Sequence, residues 1–359
     1  MKRDDENPGA AKGGKEEPEA KRQRVTRKDV AREAGVTETI VSYVLNNNRY
    51  VSQEKRLRVL AAVRKLGYRP NSAARALKGK SLNHIVFIAD QVVTEHFSLL
   101  LSEMDKKAYD LGYIVALCQN RNTDEFVNSI ISRQFDGVII SSISFPKDFI
   151  REIIDAGIPV VLLENRDYSD IEGAGKIDNG LYHGAREVVR YLDSMHRGNV
   201  IYIDRFSQHS HYSDMSDMRY RGFVHEMKAS NLSAHPEEQV ISGCESPEEI
   251  GEKVKRYLGE HPEVNAIFGR NDRVACVAMH AAQEMGKKIP EDIAVVGFDN
   301  SILSQYTTPS LTSVEIPRDL IAGTAIDMLQ QMIVHHVVPE KVVYHTSLIK
   351  RDSTKLPVT

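Results

Sequence analysis

Two sets of side chains in this 359-residue chain have types and spacings that could do chemistry, and in both the chemistry is recognition. The first is Glu38, Thr39, Ser42, Tyr43 and Asn46, the exposed face of a helical pattern whose apolar face is Val41, Val44 and Leu45 at i, i+3, i+4. Thr39 and Ser42 can bond phosphates or base edges, Glu38 can accept from a cytosine amino group, and Tyr43 can touch thymine methyls. The second set immediately follows a series of short apolar runs: Asp90, Gln119, Ser141, Glu164, Asp204, Asn271 and Asp299. If those runs are parallel strands, these residues stand at carboxyl ends, where open α/β sheets bind ligands. No glycine loop fit to cradle a phosphate and no Gly-x-Ser-x-Gly elbow accompanies them, so nothing supplies enzymatic chemistry. His209 and His211 near Asp214 have metal-binding side chains without a recognised zinc spacing and read as solvated. No metal, no cofactor and no enzyme is expected.

The first set needs a scaffold that presents one helix to a polyanion. Residues 25–80 carry 13 basic and 4 acidic side chains, a net +9 in a chain whose overall charge is −3. A basic block on an acidic body is the footprint of a nucleic-acid-binding module. Thr26 with Asp29 starts a helix as a capping box, Val30, Ala31 and Ala34 give it an apolar stripe, and Gly35 ends it. Thr37 caps the second helix, and Ser52 opens a third with Val59, Ala62, Val63 and Leu66, closed by Gly67. Three short helices with a glycine turn between the first two predict an all-α helix-turn-helix headpiece over 25–70, its second helix in the major groove of double-stranded DNA. Residues 1–24 lack the apolar content for a core and read as a disordered tail. Residues 71–82 read as a hinge or linker, too short and too polar to be more than a marginal helix.

The second set needs parallel sheets. His84–Ala89, Ile114–Cys118, Val138–Ser141 and Val160–Leu163, then Val200–Ile203, Val240–Ser242, Ala266–Phe268 and Ala294–Phe298, alternate with helical patterns. About eight buried strands in two groups of four predict an α/β body over 83–359 built of two doubly wound parallel-sheet lobes. The expected N-lobe is about 83–176 with 315–335, and the C-lobe about 177–314 with 336–359. Cys118, Cys244 and Cys276 fit no disulfide or metal framework. No apolar run reaches the roughly 18 residues that span a bilayer, and the N-terminus lacks a signal peptide's apolar stretch. A cytoplasmic protein with no membrane partner is expected.

Particular residues carry a family resemblance. Asp29-Val30-Ala31, Ala34-Gly35-Val36, Val44-Leu45-Asn46, Val51-Ser52, Leu66-Gly67-Tyr68-Arg69-Pro70-Asn71 and Ala74-Arg75 resemble the headpiece and hinge of the lactose-repressor (LacI/GalR) family. The likeness continues in Asp136-Gly137-Val138-Ile139, Asp178-Asn179, Arg219 with Gly222-Phe223, Asn271-Asp272 and Val295-Val296-Gly297-Phe298-Asp299. It implies a periplasmic-binding-protein-like body, phosphate contacts from Thr26, Thr37, Ser42, Asn46 and Tyr68, and base reading at Glu38 and Thr39. It also implies minor-groove insertion of Asn71, Ala74 and Leu77, the leucine wedged between base pairs. Glu164, Arg219, Asn271 and Asp299 would hold a sugar or sugar derivative between the lobes, with Phe97 and Phe298 as walls. Tyr43 stands where the family commonly has an arginine, Glu164 where it has aspartate, and Gln91–His96 lacks the family's Asn-Pro-Phe.

The function expected is a repressor of carbohydrate-utilisation genes, a homodimer on a pseudo-palindromic operator, switched allosterically by its effector. A sugar-binding transport component and an enzyme of sugar metabolism are the alternatives. The headpiece argues against the first, and the missing catalytic motifs against the second. If Leu77 wedges open the minor groove, Leu77→Ala will weaken operator binding much more than binding to random DNA at one salt concentration, because headpiece phosphate contacts are untouched. Equal losses on both DNAs would reduce the hinge to a tether.

Overall fold

The structure, a computed structural model, describes residues 25–46, 49–69 and 82–355, Asn46 by its backbone only. The expected tail, residues 1–24, and the hinge residues Asn71, Ala74 and Leu77 lie outside the described residues. The chain falls into two compact units, residues 1–78 and 79–359.

Among the described residues, the smaller unit is three helices, α1 (Arg27–Ala34), α2 (Glu38–Asn46) and α3 (Gln53–Leu66). The Asp29 carboxylate accepts from the Thr26 backbone N–H at 2.9 Å and its hydroxyl at 2.6 Å, so α1 starts where the sequence placed it. Gly35 and Gly67 end α1 and α3 at φ +63° and +60°, in the left-handed region that a side chain disfavours. Val30, Ala31, Ala34, Val41, Val44, Val59, Ala62 and Tyr68 make one core from all three helices.

The larger unit holds two six-stranded sheets. In the first, β1 (His84–Ala89), β2 (Ile114–Gln119), β3 (Gly137–Ser141), β4 (Val160–Leu163), β5 (Gly175–Asp178) and β11 (Val342–Val343) lie in the order β11-β5-β4-β3-β1-β2, all parallel. In the second, β6 (Val200–Ile203), β7 (Val240–Ile241), β8 (Ala266–Gly269), β9 (Ala294–Phe298), β10 (Thr312–Glu315) and β12 (Ser347–Ile349) lie in the order β12-β10-β9-β8-β6-β7, with only β12 antiparallel. Successive strand residues face opposite ways, so Ile85 and Phe87 share one core with Ile139 and Val161, while Val86 and Ile88 share another with Val138 and Val160.

Helices cover both faces of each sheet. They are α4 (Glu95–Asp110), α5 (Asp124–Ser132), α6 (Lys147–Asp155), α7 (Leu181–Ser194), α8 (Met218–Ala229), α9 (Pro247–Glu260), α10 (Asp272–Glu284), α11 (Leu303–Tyr306) and α12 (Arg318–His335). Among the described residues, no helix is long and apolar enough to cross a membrane.

Among the described residues, twelve strands replace the eight expected. Of the four missed, β5, β10 and β12 contain Lys176, Asp178, Thr312 or Ser347 and are too short and too polar to stand out by hydrophobicity, while β11 is only two valines, too short to stand out. The lobe limits move with them. Ile177 and Asp178 extend β5 in the first sheet, and β11 joins that sheet too, although 336–359 was assigned to the C-lobe. The chain therefore passes between lobes three times, after β5, after β10 and after β11.

The second lobe depends on a close helix crossing. Gly222 of α8 lies against the Tyr182 carbonyl of α7, and a Cβ there would stand 2.9 Å from that of Ala185. Gly222→Ala should lower stability by about 1–3 kcal/mol through forced separation of the two helices. A urea midpoint by circular dichroism equal to that of the parent chain would show that the crossing tolerates the methyl group.

Candidate functional site

In the smaller unit, the face expected to read DNA is the outward side of α2 and the turn before it. Thr26, Thr37, Glu38 and Thr39 are exposed, and Ser42 and Tyr43 half-buried. The Thr37 hydroxyl also accepts from the Ile40 N–H at 3.4 Å, closing the first turn of α2. Tyr68 is only 9% exposed and packs in the core, which leaves its hydroxyl as the one group suited to a phosphate. Arg49, unremarked in the sequence reading, holds its guanidinium 5.4 Å from the centre of the Tyr43 ring. A cation thus returns beside the position where the resembled family has arginine.

In the larger unit a cavity of about 500 Å³ lies at the carboxyl ends of strands from both sheets. Phe97, Arg219, Asn271 and Asp299 line it, as expected for effector contacts. Glu164 and Phe298 are not among its lining residues, which corrects both assignments. Glu164 is buried in an ion pair with Lys341 at 2.5 Å, and burial raises its pKa while that lysine works against the rise. Lys341 lies just before β11, a strand too short to be seen in the sequence. Phe298 is fully buried behind the cavity, with the Arg219 guanidinium 4.5 Å from its ring centre. It supports the arginine instead of forming a wall. The aromatic wall opposite Phe97 is Phe206, two residues beyond Asp204.

Backbone geometry and buried charge aim these groups. Asp217 caps α8, its carboxylate accepting from Arg219 N at 2.9 Å and Tyr220 N at 3.1 Å. Arg270 binds the other Asp217 oxygen at 2.6 Å, and its charge, against the cost of burial, keeps Asp217 ionised with a lowered pKa. So anchored, α8 presents Arg219 to Asp299 at 2.6 Å. Asp299 has φ +97°, rare for a residue with a side chain, and costs about 1–3 kcal/mol of backbone strain. Strain of that kind persists where surrounding contacts over-determine the geometry, here Arg219 on the side chain and Arg318 on the carbonyl.

Asn271 caps α10, accepting from Val274 N at 3.0 Å, so its role is to fix the helix start that enters the cavity. Asp272 beside it accepts from the Ser301 N–H at 2.6 Å and the Ser301 hydroxyl at 2.8 Å, and from Ser313. Burial and the charge of Asp299 push its pKa up to about 7 against those donors. Gly297 of β9 lets that carboxylate approach the strand, since a Cβ would collide with it.

Hydrogen-bonded contacts cross between lobes at the cavity, where His96 also lies 3.9 Å from Asp299. Asp90, at the end of β1, accepts from Arg205, beyond β6, at 3.3 Å. Glu95, at the start of α4, accepts from the Ile302 N–H before α11 at 2.9 Å and 3.1 Å. Burial opposes ionisation of Asp90, but Arg205, Ser142, Ser144 and the Ile143 N–H together lower its pKa. Asp90 was legible as a strand-end residue. Arg205, Arg270 and His96 were not, because each is identified by what it meets in space.

Residues 26–71 match the bacterial regulatory proteins of the lacI family, and residues 189–354 match a periplasmic binding protein-like domain. The chain is 28% identical over 338 residues to the HTH-type transcriptional repressor PurR of Pectobacterium carotovorum subsp. carotovorum, covering 91% of this chain and 96% of that one. A crystal structure of the lac repressor dimer bound to operator and the anti-inducer ONPF shares the fold with a TM-score of 0.78 at 25% identity, over 92% of this chain and 99% of that one. The complex of the transcriptional regulator CelR with cellobiose has a TM-score of 0.67 at 22% identity, over 92% of this chain and all of that one, a likeness of fold. These relatives are transcriptional regulators, not enzymes.

His96 lines the cavity edge-on to Phe97, and burial, reinforced by the guanidinium groups of Arg219, Arg318 and Arg270 against the charge of Asp299, pushes its pKa down to about 4 from 6.5. The unfolded chain takes up a proton there that the folded chain refuses, so this group by itself makes stability fall as pH drops from 6.5 toward 4, by about 2 kcal/mol between about pH 7.5 and pH 5. Asp272, raised to about 7 in the fold from 3.8, takes up its proton in the folded chain over the same window and opposes that loss. The pKa-lowered carboxylates Asp90 and Asp217 act below this window, since an unfolded aspartate titrates near 3.8. The difference between chains isolates the histidine: on going from about pH 7.5 to pH 5, His96→Gln should gain about 2 kcal/mol relative to the parent, read from urea midpoints of both chains at the two pH values. An equal change in both chains would remove His96 as a contributor.

Proposed function

We propose that this chain, a transcriptional regulator of the LacI family with an effector-binding domain, is a repressor whose affinity for a DNA operator is switched by a small sugar-like molecule bound between its lobes. The observation that carries the reading is the cavity. Arg219, Asn271, Asp299 and Phe97 come from four separate parts of the sequence to line one space between two sheets, in a chain that also bears a basic helix-turn-helix unit. Carboxylates, an amide and guanidinium groups beside aromatic walls suit a polyhydroxylated ligand, whose hydroxyls both donate and accept while its ring face packs on carbon.

On the DNA side, Glu38 and Thr39 read bases, Tyr43 with Arg49 supports the reading face, and Thr26, Thr37, Ser42, Asn46 and Tyr68 hold phosphates. A homodimer bound to a pseudo-palindrome, as the lac repressor complex is a dimer on operator, would place two such faces on successive half-sites. The hinge residues Asn71, Ala74 and Leu77 join the units and would enter the minor groove. Control of carbohydrate-utilisation genes is the role that a sugar-like effector gives.

The test is selection of bound genomic fragments by the full chain, followed by affinity measurements against salt. A selective fragment with a log-log salt slope steeper than about −3 is expected from the phosphate contacts of two headpieces. Arg219→Ala should bind the same fragment as tightly as the parent but respond at least tenfold less to the sugar that shifts the parent's affinity, since a charged hydrogen bond of about 1.5–3 kcal/mol is lost. Absence of selective, salt-sensitive binding would sink the regulator reading, and an unaltered response in the variant would sink the cavity assignment.

A further inference from the structure

We infer that the effector is an anion, a sugar-sized molecule bearing a carboxylate or phosphate, and that Arg273 with Arg205 receives its charged group. This rests on reading the cavity as the effector site. The two arginines reach the cavity from adjacent strands of the second sheet: Arg205 and Phe206 follow β6, and Arg273 lies in the first turn of α10 after β8. The Arg273 guanidinium sits 4.7 Å from the centre of the Phe206 ring, next in sequence to Arg205. Among the described residues, no carboxylate comes within ion-pair distance of Arg273; the exposed Glu248 feels its charge without pairing with it. Arg205 meets Asp90 at 3.3 Å, longer than the roughly 2.7–2.9 Å of a strong charged hydrogen bond. Arg219, 6% exposed, has a buried Nε with no partner.

The acidic side chains of the cavity are committed elsewhere. Asp90 takes the Ser144 hydroxyl at 2.8 Å and the Ile143 N–H at 3.0 Å, as well as Ser142. Glu95 engages both oxygens with the Ile302 N–H, Asp272 is held by Ser301 and Ser313, and Asp299 binds Arg219. Acceptors are therefore largely used while donors remain. A neutral hydroxyl needs an acceptor for its own proton, whereas a carboxylate or phosphate only accepts, and the planar fork of arginine fits it in two-point fashion. The positive end of α10, 13 residues long and opening on the cavity at Asp272 and Arg273, favours the same charge.

The experiment is calorimetric titration of the full-length chain with D-glucose, D-gluconate, D-glucuronate and D-glucose 6-phosphate at matched ionic strength. Gluconate and glucuronate test a carboxylate, and glucose 6-phosphate a phosphate. At least one anion should bind tenfold or more tightly than glucose. Arg273→Gln should cut that anion's affinity by about ten- to a hundredfold, with Arg273→Lys recovering part of it. Glucose binding as well as the anions, an unaltered affinity in Arg273→Gln, or no binding by any charged probe would each overturn the inference. If glucose binds alone and Arg219→Ala abolishes that binding, the cavity reading survives and the anion inference falls.

Discussion

A guanidinium buried in the lining of the cavity cannot shed its proton, so the structure around Arg270 has to supply negative charge. Asp217 supplies it at 2.6 Å, and Asp204 lies 3.9 Å away, tied down by Ser213 and Ser242. Burial works against the charge on Arg270, yet these carboxylates raise its pKa further. Because the same Asp217 carboxylate caps α8, the buried pair sets where that helix begins and so where Arg219 emerges. Removing one partner of such a pair leaves an uncompensated buried ion and costs about 3–5 kcal/mol. The geometry of the cavity's second-lobe side is thus tied to an ion pair whose carboxylate, Asp217, lies behind the cavity lining.

What the sequence made legible follows from local physics. The capping of α1 by Asp29, the end of that helix at Gly35 and the apolar stripe of α2 each involve residues within a few positions of one another, and the three-helix unit follows from them. The long central strands were legible because both their faces are buried, which leaves runs such as Ile85 to Ala89 apolar throughout. β11 and β12 escaped notice because they are only two and three residues long. In the site, Asp299 stood out by its place after a strand and Arg219 by the family resemblance, and both line the cavity. The true partner of Glu164 was hidden, because Lys341 lies 177 residues away in sequence. Phe298 was misjudged for a related reason: a strand-end aromatic can face either the cavity or the core, and the parity that decides between them depends on where the strand stops.

The two lobes are in contact across the cavity through Asp90 with Arg205 and through Glu95 with the Ile302 N–H. Any opening that admits a ligand has to separate both. The first exchanges an ion pair for water or for ligand, and the second exposes a backbone N–H that solvent satisfies readily. The first is a buried ion pair, so its separation has to be offset by whatever replaces each partner, while the second costs little. Differential affinity of a ligand for the closed arrangement is then the quantity that sets the balance of states.

The three passages of the chain between lobes bear on how the protein is made. The first sheet gains its last strand, β11, at Val342–Val343, and the second gains β12 at Ser347–Ile349. During synthesis neither sheet can cover β5 or β10 until residues 342–349 have emerged. Most of the chain thus waits with β5 and β10 presenting unpaired backbone to whatever is nearby, the arrangement that invites strand addition by a neighbouring nascent chain. Loss of residues 342–349 would leave both lobes in that unfinished state at once, with the backbone of β5 and of β10 exposed together.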